Sequence, residues 1–152
     1  MSRPQPTPLA ALPQRAWRGP LRIRFSHCDP AGIVYFARYF DLLNGVVEDW
    51  FEAALGLSYA EFIGPRRTGL GYGHASIDYV APSMVGDRLT AVPLVERIGT
   101  ASLSLRVHLY CGEEPILLAR LVIVTTSLDV HRAIPLPADL RAAVEAYQEL
   151  CR

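Results

Sequence analysis

The stretch of this 152-residue chain whose residue types and spacing best support chemistry is His27-Cys28-Asp29-Pro30-Ala31-Gly32-Ile33-Val34-Tyr35-Phe36. Pro30 biases Asp29 away from helical backbone angles, so its carboxylate is expected just outside the strongly patterned helix that follows. The chain then turns through Ala31-Gly32, and N–H groups without intrahelical acceptors are expected near Tyr35 and Phe36. Such amides, helped by the positive end of a helix dipole, could stabilise a developing oxyanion. A carboxylate beside an oxyanion-binding amide points to acyl chemistry. The same residues also suit a local role, because Asp-Pro is a frequent turn signal and an aspartate ahead of a helix commonly caps it.

A thioester suits so sparse a site. Its leaving group is a thiolate, and a simple thiol has a pKa of about 8.5, so no strong general acid is needed to expel it. The carboxylate could attack the carbonyl or draw a proton from water. One well-aimed oxyanion donor is typically worth about 10²–10³ in rate.

The elements that must position these groups are legible as patterns. Residues 21–25 (Leu-Arg-Ile-Arg-Phe) alternate apolar with basic side chains and read as a strand leading into Asp29. Beyond it, Phe36, Tyr39, Phe40, Leu43, Val47, Trp50, Phe51 and Ala54 recur at helical spacing, with Arg38, Asp41, Glu48, Asp49 and Glu52 on the other side. Gly56 supplies a left-handed stop. Residues 57–70 hold Gly64, Pro65 and Gly69 and read as a loop with room for one helical turn. Strands are expected at 71–80, at 88–97 with a bulge or sheet edge at Pro93, at 103–109 and at 116–127. Residues 137–150 form a short helix, with Pro137 suited to its first position. The order is strand, long helix, four strands and short helix. Strands joined by short turns make an antiparallel sheet whose face one long helix can cover, an α+β domain.

Length and composition narrow the function. A chain of 152 residues with 51% hydrophobic and 20% charged residues suits one globular domain. Fifteen basic and fifteen acidic residues cancel, which argues against nucleic acid or an anionic membrane as partner. No apolar run approaches the roughly 20 residues of a membrane helix. Cys28, Cys111 and Cys151 form no CxxC pair, which suits a reducing cytoplasm better than a disulfide scaffold or a zinc site. Residues 1–19, with Pro4, Pro6, Pro8 and Pro13 beside Arg3, Arg15 and Arg18, are expected to form a flexible tail ahead of a domain at 20–152.

The string from Asp29 to Phe36, followed by Arg38-Tyr39-Phe40 and the aromatic helix, closely resembles the 4-hydroxybenzoyl-CoA thioesterase family. More broadly it resembles the acyl-CoA thioesterases of the hotdog fold, over roughly residues 20–150. The resemblance implies a sheet wrapped around the long central helix, homodimers assembling into homotetramers, and an active site at the dimer interface. It implies hydrolysis of an acyl-CoA to free acid and coenzyme A, with coenzyme A part of the substrate and no further cofactor or metal. Asp29 matches the catalytic aspartate, and Phe36 falls where the family uses a backbone N–H against the thioester oxygen. An aromatic acyl group such as 4-hydroxybenzoyl is favoured. A short or medium aliphatic acyl group and a non-catalytic acyl-CoA-binding role are the alternatives. A hotdog dehydratase would need a histidine paired with a carboxylate, and none follows Asp29 at a suitable spacing.

Departures from the family pattern are visible. Phe36 stands where a related subgroup carries histidine, and His27 where the hydroxybenzoyl type often carries an acid. Of Glu96-Arg97-Ile98-Gly99-Thr100 only Arg97 is basic, where the family gathers several basic residues for the nucleotide phosphates. Arg97 and Arg132 are the candidate phosphate contacts, arginine being suited to them by its planar fork. Asn44, Tyr35 and His27 are the candidate substrate contacts. Asn44 interrupts the apolar stripe and reads either as a substrate ligand or as an amide bonded to a neighbouring strand. His27 reads either as a group tuning Asp29 or as a structural histidine.

Overall fold

The helix over Arg38–Ala53 (α1) buries Tyr39, Leu42, Leu43, Val46, Val47, Trp50 and Phe51 along one stripe. In this computed structural model, which describes residues 5–152, the stripe is rotated from the one that spacing predicts. The helix starts only at Arg38, with Ala37 as its N-cap, so Phe36 never joins it. Phe36 is 60% exposed and Phe40 40%. Leu42 and Val46 take their places in the core.

The core is closed by strands Gly19–Arg22 (β1), Thr68–Tyr79 (β2), Arg88–Ile98 (β3), Ser102–Cys111 (β4) and Glu114–Ser127 (β5). Their spatial order is β1-β3-β4-β5-β2, every pairing is antiparallel, and the short strand Arg132–Ala133 (β6) pairs with the end of β5. Leu103, Leu105, Val107 and Leu109 of β4 alternate with polar or outward residues, as do Leu117, Ala119, Leu121 and Ile123 of β5. All eight are buried in one cluster with the α1 stripe. Each of the Leu, Val and Ile side chains among them contributes about 1.5–3 kcal/mol by leaving water. The result is the expected α+β hotdog arrangement, one antiparallel sheet wrapped on a central helix. Helices Tyr59–Ile63 (α2) and Ala138–Leu150 (α3) complete it. The first occupies the helical turn expected within 57–70, capped by Ser58, whose hydroxyl accepts the Glu61 N–H at 3.2 Å.

Pro93 meets the second of its two expectations, a sheet edge and not a bulge. It pairs in register with Val107, while β1 reaches only as far as Ala91, so the missing proline donor faces no neighbouring strand. The irregularity falls between Val95 and Arg97 instead, and a second lies between Tyr72 and His74.

The proline-rich segment also departs from the flexible tail expected of it. Arg3 and Pro4 lie outside the described residues, but Leu12 and Ala16 are buried against Val92 and Tyr110 on the outer face of the sheet. The Tyr110 hydroxyl donates to the Thr7 carbonyl at 2.6 Å. Arg18 donates to the carbonyls of Pro13, Gln14 and Ala16, closing the segment on itself. The apolar residues spaced among the prolines supply the contacts that composition alone conceals.

The Tyr147 hydroxyl of α3 links this segment to the sheet. It accepts the Trp17 N–H at 3.0 Å and donates to the Pro93 carbonyl at 2.6 Å. Tyr147→Phe removes both bonds and leaves a buried donor without its acceptor, a loss of about 1–3 kcal/mol in unfolding free energy. Denaturant melts compared with wild type measure it. An unchanged midpoint would show that the segment is held elsewhere.

Candidate active site

The Asp29 loop is built as a miniature hairpin. The Gly32 N–H donates to the Asp29 carbonyl and the Asp29 N–H to the Ile33 carbonyl, both at 2.9 Å. Cys28 bridges Val34 across it, and Ile33 bridges Met84. Pro30 supplies the preset angle at the second turn position, and Gly32 sits at a φ of 80°, where a side chain is strained. The hairpin is clamped to the connection between β2 and β3. The Val34 N–H donates to the Ser83 carbonyl and the Val85 N–H to the Gly32 carbonyl, each at 3.0 Å.

Asp29 is partly exposed at the tip. Its Oδ1 accepts the Ala31 N–H at 2.8 Å, and among the described residues Oδ2 takes no hydrogen bond. Six residues on, the Tyr35 N–H donates to the His27 carbonyl at 3.0 Å, tying the outgoing arm to the incoming one. Among the described residues, no carbonyl accepts the Phe36 N–H. The Phe36 carbonyl, by contrast, takes the Tyr79 hydroxyl at 2.8 Å and the Tyr39 N–H at 3.4 Å, which fixes this backbone at the entry to α1. The two predicted residues thus lie on one clamped loop that leaves Asp29 Oδ2 and the Phe36 amide without hydrogen-bond partners among the described residues.

Around Phe36 lies a shallow apolar hollow of about 340 Å³, lined also by Val34, Tyr39, Tyr79 and Pro82. The Tyr35 ring, half exposed, packs on Phe36 with centroids 5.0 Å apart. Tyr79 was missed in the sequence. As one aromatic at the end of a predicted strand, it carries no signal of its bond to a loop 43 residues away.

His27 and Asn44 open onto a different cleft. It measures about 430 Å³, runs between β1 and α1, and is lined also by Arg22, Arg24 and Asp41. The Asn44 Oδ1 accepts the Tyr72 hydroxyl at 2.8 Å, so the amide is bonded to a neighbouring strand. His27 Nδ1 accepts the Arg24 N–H at 2.9 Å, which assigns the ring proton to Nε2. Among the described residues neither side chain hydrogen-bonds Asp29.

Arg97 and Arg132 are not brought together. Arg97 lines a groove on the outer sheet face with His74, Ser104 and Arg120, whereas Arg132 lies on β6 beside Ser127. Two other arginines near β2 are committed to carboxylates, Arg66 to Asp139 at 2.7 Å and Arg67 to Asp129 at 3.1 Å. Among the described residues no cluster of three or more His, Cys, Asp or Glu could hold a metal, and the three cysteines are unpaired. No helix among them is long and apolar enough to cross a membrane.

Comparison with known proteins agrees with the fold. The model of the thioesterase-like superfamily matches residues 23–144, and the chain belongs to that superfamily. The relatives it matches are thioester hydrolases. A 1,4-dihydroxy-2-naphthoyl-CoA hydrolase of Synechococcus elongatus is 30% identical over 120 residues, spanning 78% of this chain and 88% of the relative. The crystal structure of a 1,4-dihydroxy-2-naphthoyl-CoA thioesterase from Synechocystis superposes with a TM-score of 0.77 at 23% identity, over 85% of this chain and 95% of that one. A gentisyl-coenzyme A thioesterase superposes with a TM-score of 0.76 at 21% identity, over 84% and 99%. The assignment is to the superfamily, wider than the 4-hydroxybenzoyl family that the motif resembles.

Burial, then the charges of Arg38 and Arg24, push the His27 imidazole below its ordinary 6.5, with Asp41 opposing. A depressed folded pKa means the unfolded chain binds the proton first. The stability tied to neutral His27 is therefore complete above about pH 6.5 and is lost as pH falls from there through the folded value. An NMR titration of the His27 ring should give a midpoint below 6.5. A midpoint at or above it would contradict the Nδ1 bond.

Proposed function

We propose that the chain hydrolyses an acyl-CoA thioester bearing an aromatic acyl group, releasing the free acid and coenzyme A. The observation that carries this reading is the pairing, on one clamped hairpin, of the Asp29 carboxylate with the unclaimed Phe36 N–H. Asp29 either attacks the carbonyl carbon or takes a proton from the attacking water, and the Phe36 N–H receives the negative oxygen of the tetrahedral intermediate. Collapse of that intermediate breaks the C–S bond, and the thiolate leaves without needing a strong acid; where Asp29 has attacked directly, water then hydrolyses the mixed anhydride, releasing the free acid and restoring the carboxylate.

The acyl group is best supported as a hydroxylated aromatic. A relative that shares 30% identity acts on a dihydroxynaphthoyl thioester and a structural neighbour on a gentisyl one, so 1,4-dihydroxy-2-naphthoyl-CoA ranks ahead of 4-hydroxybenzoyl-CoA. The exposed rings of Tyr35, Phe36 and Phe40 offer offset or edge-on partners for such a group. Tyr35 is the nearest of the candidate substrate contacts to Phe36, while Asn44 and His27 would reach substrate only across their own cleft.

The working form is a homodimer, with assembly to a homotetramer. β2 is a 12-residue sheet edge paired only with β5 among the described residues. A long open edge invites pairing with a second copy. Beside it Tyr35, Phe36, Phe40, Tyr72 and Tyr79 are all exposed, a surface that a partner would cover. Three free cysteines suit a reducing cytoplasm.

A second reading, an acyl-CoA-binding protein without turnover, is favoured by the commitment of Asp29 Oδ1 to the Ala31 amide. Asp29→Asn separates the two. Asparagine keeps an oxygen for the Ala31 N–H and hence the turn, but loses the charge. In a thiol-release assay over aromatic and aliphatic acyl-CoAs, the variant should lose about 10²–10⁴ in kcat with an unchanged melting temperature. Full activity in the variant would overturn the role of Asp29, and hydrolysis of nothing by wild type would leave the binding reading.

A further inference from the structure

Two local hydrogen bonds shape the turn that carries the Phe36 N–H. The Arg38 N–H donates to the Tyr35 carbonyl at 2.8 Å and the Tyr39 N–H to the Phe36 carbonyl at 3.4 Å. Each spans three residues, so neither sets how the turn is aimed relative to Asp29. Two longer connections do. The Tyr35 N–H reaches back to the His27 carbonyl at 3.0 Å, which ties the turn to its own hairpin. The Tyr79 hydroxyl comes from β2 and donates to the Phe36 carbonyl at 2.8 Å, which ties it to the sheet.

The base of that second tie is firm. Tyr79 is the last residue of β2 and pairs with Leu117 of β5. Directly after it, the Val80 and Ala81 N–H groups both donate to the Ile116 carbonyl, at 2.8 and 3.1 Å. The Tyr79 ring stands against the ring of Tyr39, centroids 5.7 Å apart, and Tyr39 is itself buried in the core. Burial, then the neighbouring Tyr39, raise the Tyr79 pKa above its ordinary 10.0, so the hydroxyl keeps its proton and stays a donor at neutral pH. That proton is committed to the Phe36 carbonyl. A thiolate leaves without a strong acid, so the phenol is not needed as a proton donor to the leaving group.

We propose that Tyr79 is a positioning residue for thioester hydrolysis, its hydroxyl aiming the Phe36 N–H at the oxyanion by holding the carbonyl of the same residue. The inference rests on the hydrolase reading of the Asp29 loop, to which it adds a group on another element. The peptide that bears the Phe36 N–H is pinned at the Tyr35 carbonyl by Arg38, and the following peptide is pinned by Tyr79. With both peptides around the Phe36 Cα held, the N–H cannot swing. Without the hydroxyl, the second peptide would keep only the bond from Tyr39, at 3.4 Å too long to be strong. An oxyanion donor works by being aimed before the charge forms, and a displacement of about 1 Å can cost about 10²-fold in rate.

Tyr79→Phe keeps the ring and removes the hydroxyl. In the thiol-release assay it should lower kcat by about tenfold to a hundredfold, with KM, the melting temperature and the shape of the pH–rate profile unchanged. Tyr79→3-fluorotyrosine, which restores a donor, should recover most of the rate. The loss should be the same for an acyl-CoA and for an aryl thioester of the same acid, since the oxyanion forms with either leaving group. A loss confined to the poorer leaving group would make the phenol a proton donor and overturn the proposal, as would an unchanged kcat or a rise in KM alone. Melting well below wild type, with kcat and KM lost together, would mark a purely structural residue and overturn it too. A further readout needs no substrate. In ¹⁵N relaxation measurements the order parameter of the Phe36 amide should fall from a rigid value of about 0.85 toward about 0.6 in Tyr79→Phe. If wild type hydrolyses no thioester, the hydrolase reading fails, and the order parameter alone decides whether Tyr79 holds the Phe36 amide; no change in it would end the positioning role.

Discussion

Enclosure of one aromatic stripe by one sheet is the constraint from which the other features follow. Trp50, Phe51 and Val47 are wholly buried, and Trp50 meets Tyr147 edge-on at 5.2 Å while Phe51 meets Tyr59 at 5.2 Å and Phe62 at 6.1 Å. The middle and end of α1 are therefore sealed by the sheet, α2 and α3. Only its first turn, with the hairpin before it, emerges at the rim. A loop that must carry a charged carboxylate and an unbonded amide has nowhere else to sit, because either group inside the stripe would be a buried polar atom without a partner. The site stands at the helix entrance because the rest of the helix is core.

The sheet is put to use on both faces, and its alternation sets what each can hold. The inner face is nearly continuous Leu, Val, Ala and Ile. The outer face mixes arginine, histidine and serine with the segment 7–18, which covers Val92 and Tyr110 at one end. His108 is buried on this outer face beside Tyr110, its rings nearly parallel, and burial followed by the Arg106 charge lowers its pKa. The covered end is thus apolar and neutral, and the charged groups gather where the two bulges redirect side chains. A single sheet in this way separates a core from a polar surface without a second layer of strands.

Much of this was legible from side-chain periodicity. Long strands such as β4 and β5 declared themselves because one face is core and the other is not, and α1 because its apolar spacing persists for four turns. What failed was whatever depends on a partner distant in sequence. The start of α1 at Arg38 cut Phe36 out of the stripe, and no periodicity distinguishes a last loop residue from a first helical one. Pro93 suggested a bulge or a sheet edge, and only the length of β1 decides between the two. The bulges at Glu96 and Gly73 leave no mark, since each shows only when the facing strand is in register. The segment 7–18 was misread because proline content says how stiff a chain is, and not what Leu12 and Ala16 will touch. At the candidate site, the placing of Asp29 and Phe36 together ahead of α1 was legible because both belong to one short stretch of sequence. Asn44 was read either as a substrate ligand by family position or as an amide bonded to a neighbouring strand, and its bond to Tyr72 fits the second; His27 was read from its spacing to Asp29, which carries no sign of its bond to the Arg24 backbone.

The two readings of Asp29 that its sequence context left open are compatible in the folded chain. One carboxylate oxygen closes the turn by accepting the Ala31 N–H, and this bond fixes the direction of the other. A carboxylate that floated free would have to be ordered on substrate binding, at the cost of its rotamer freedom. Here that order exists already, along with the clamp of Val34 and Val85 on the strand connection and of Tyr79 on Phe36. Preorganisation of this kind is what electrostatic catalysis requires, since the donor and the base must not relax toward the charge as it forms. On the proposed mechanism the turn cap is the means by which so few groups are aimed, and a residue that looks structural by its hydrogen bond is for that reason better suited to the chemistry.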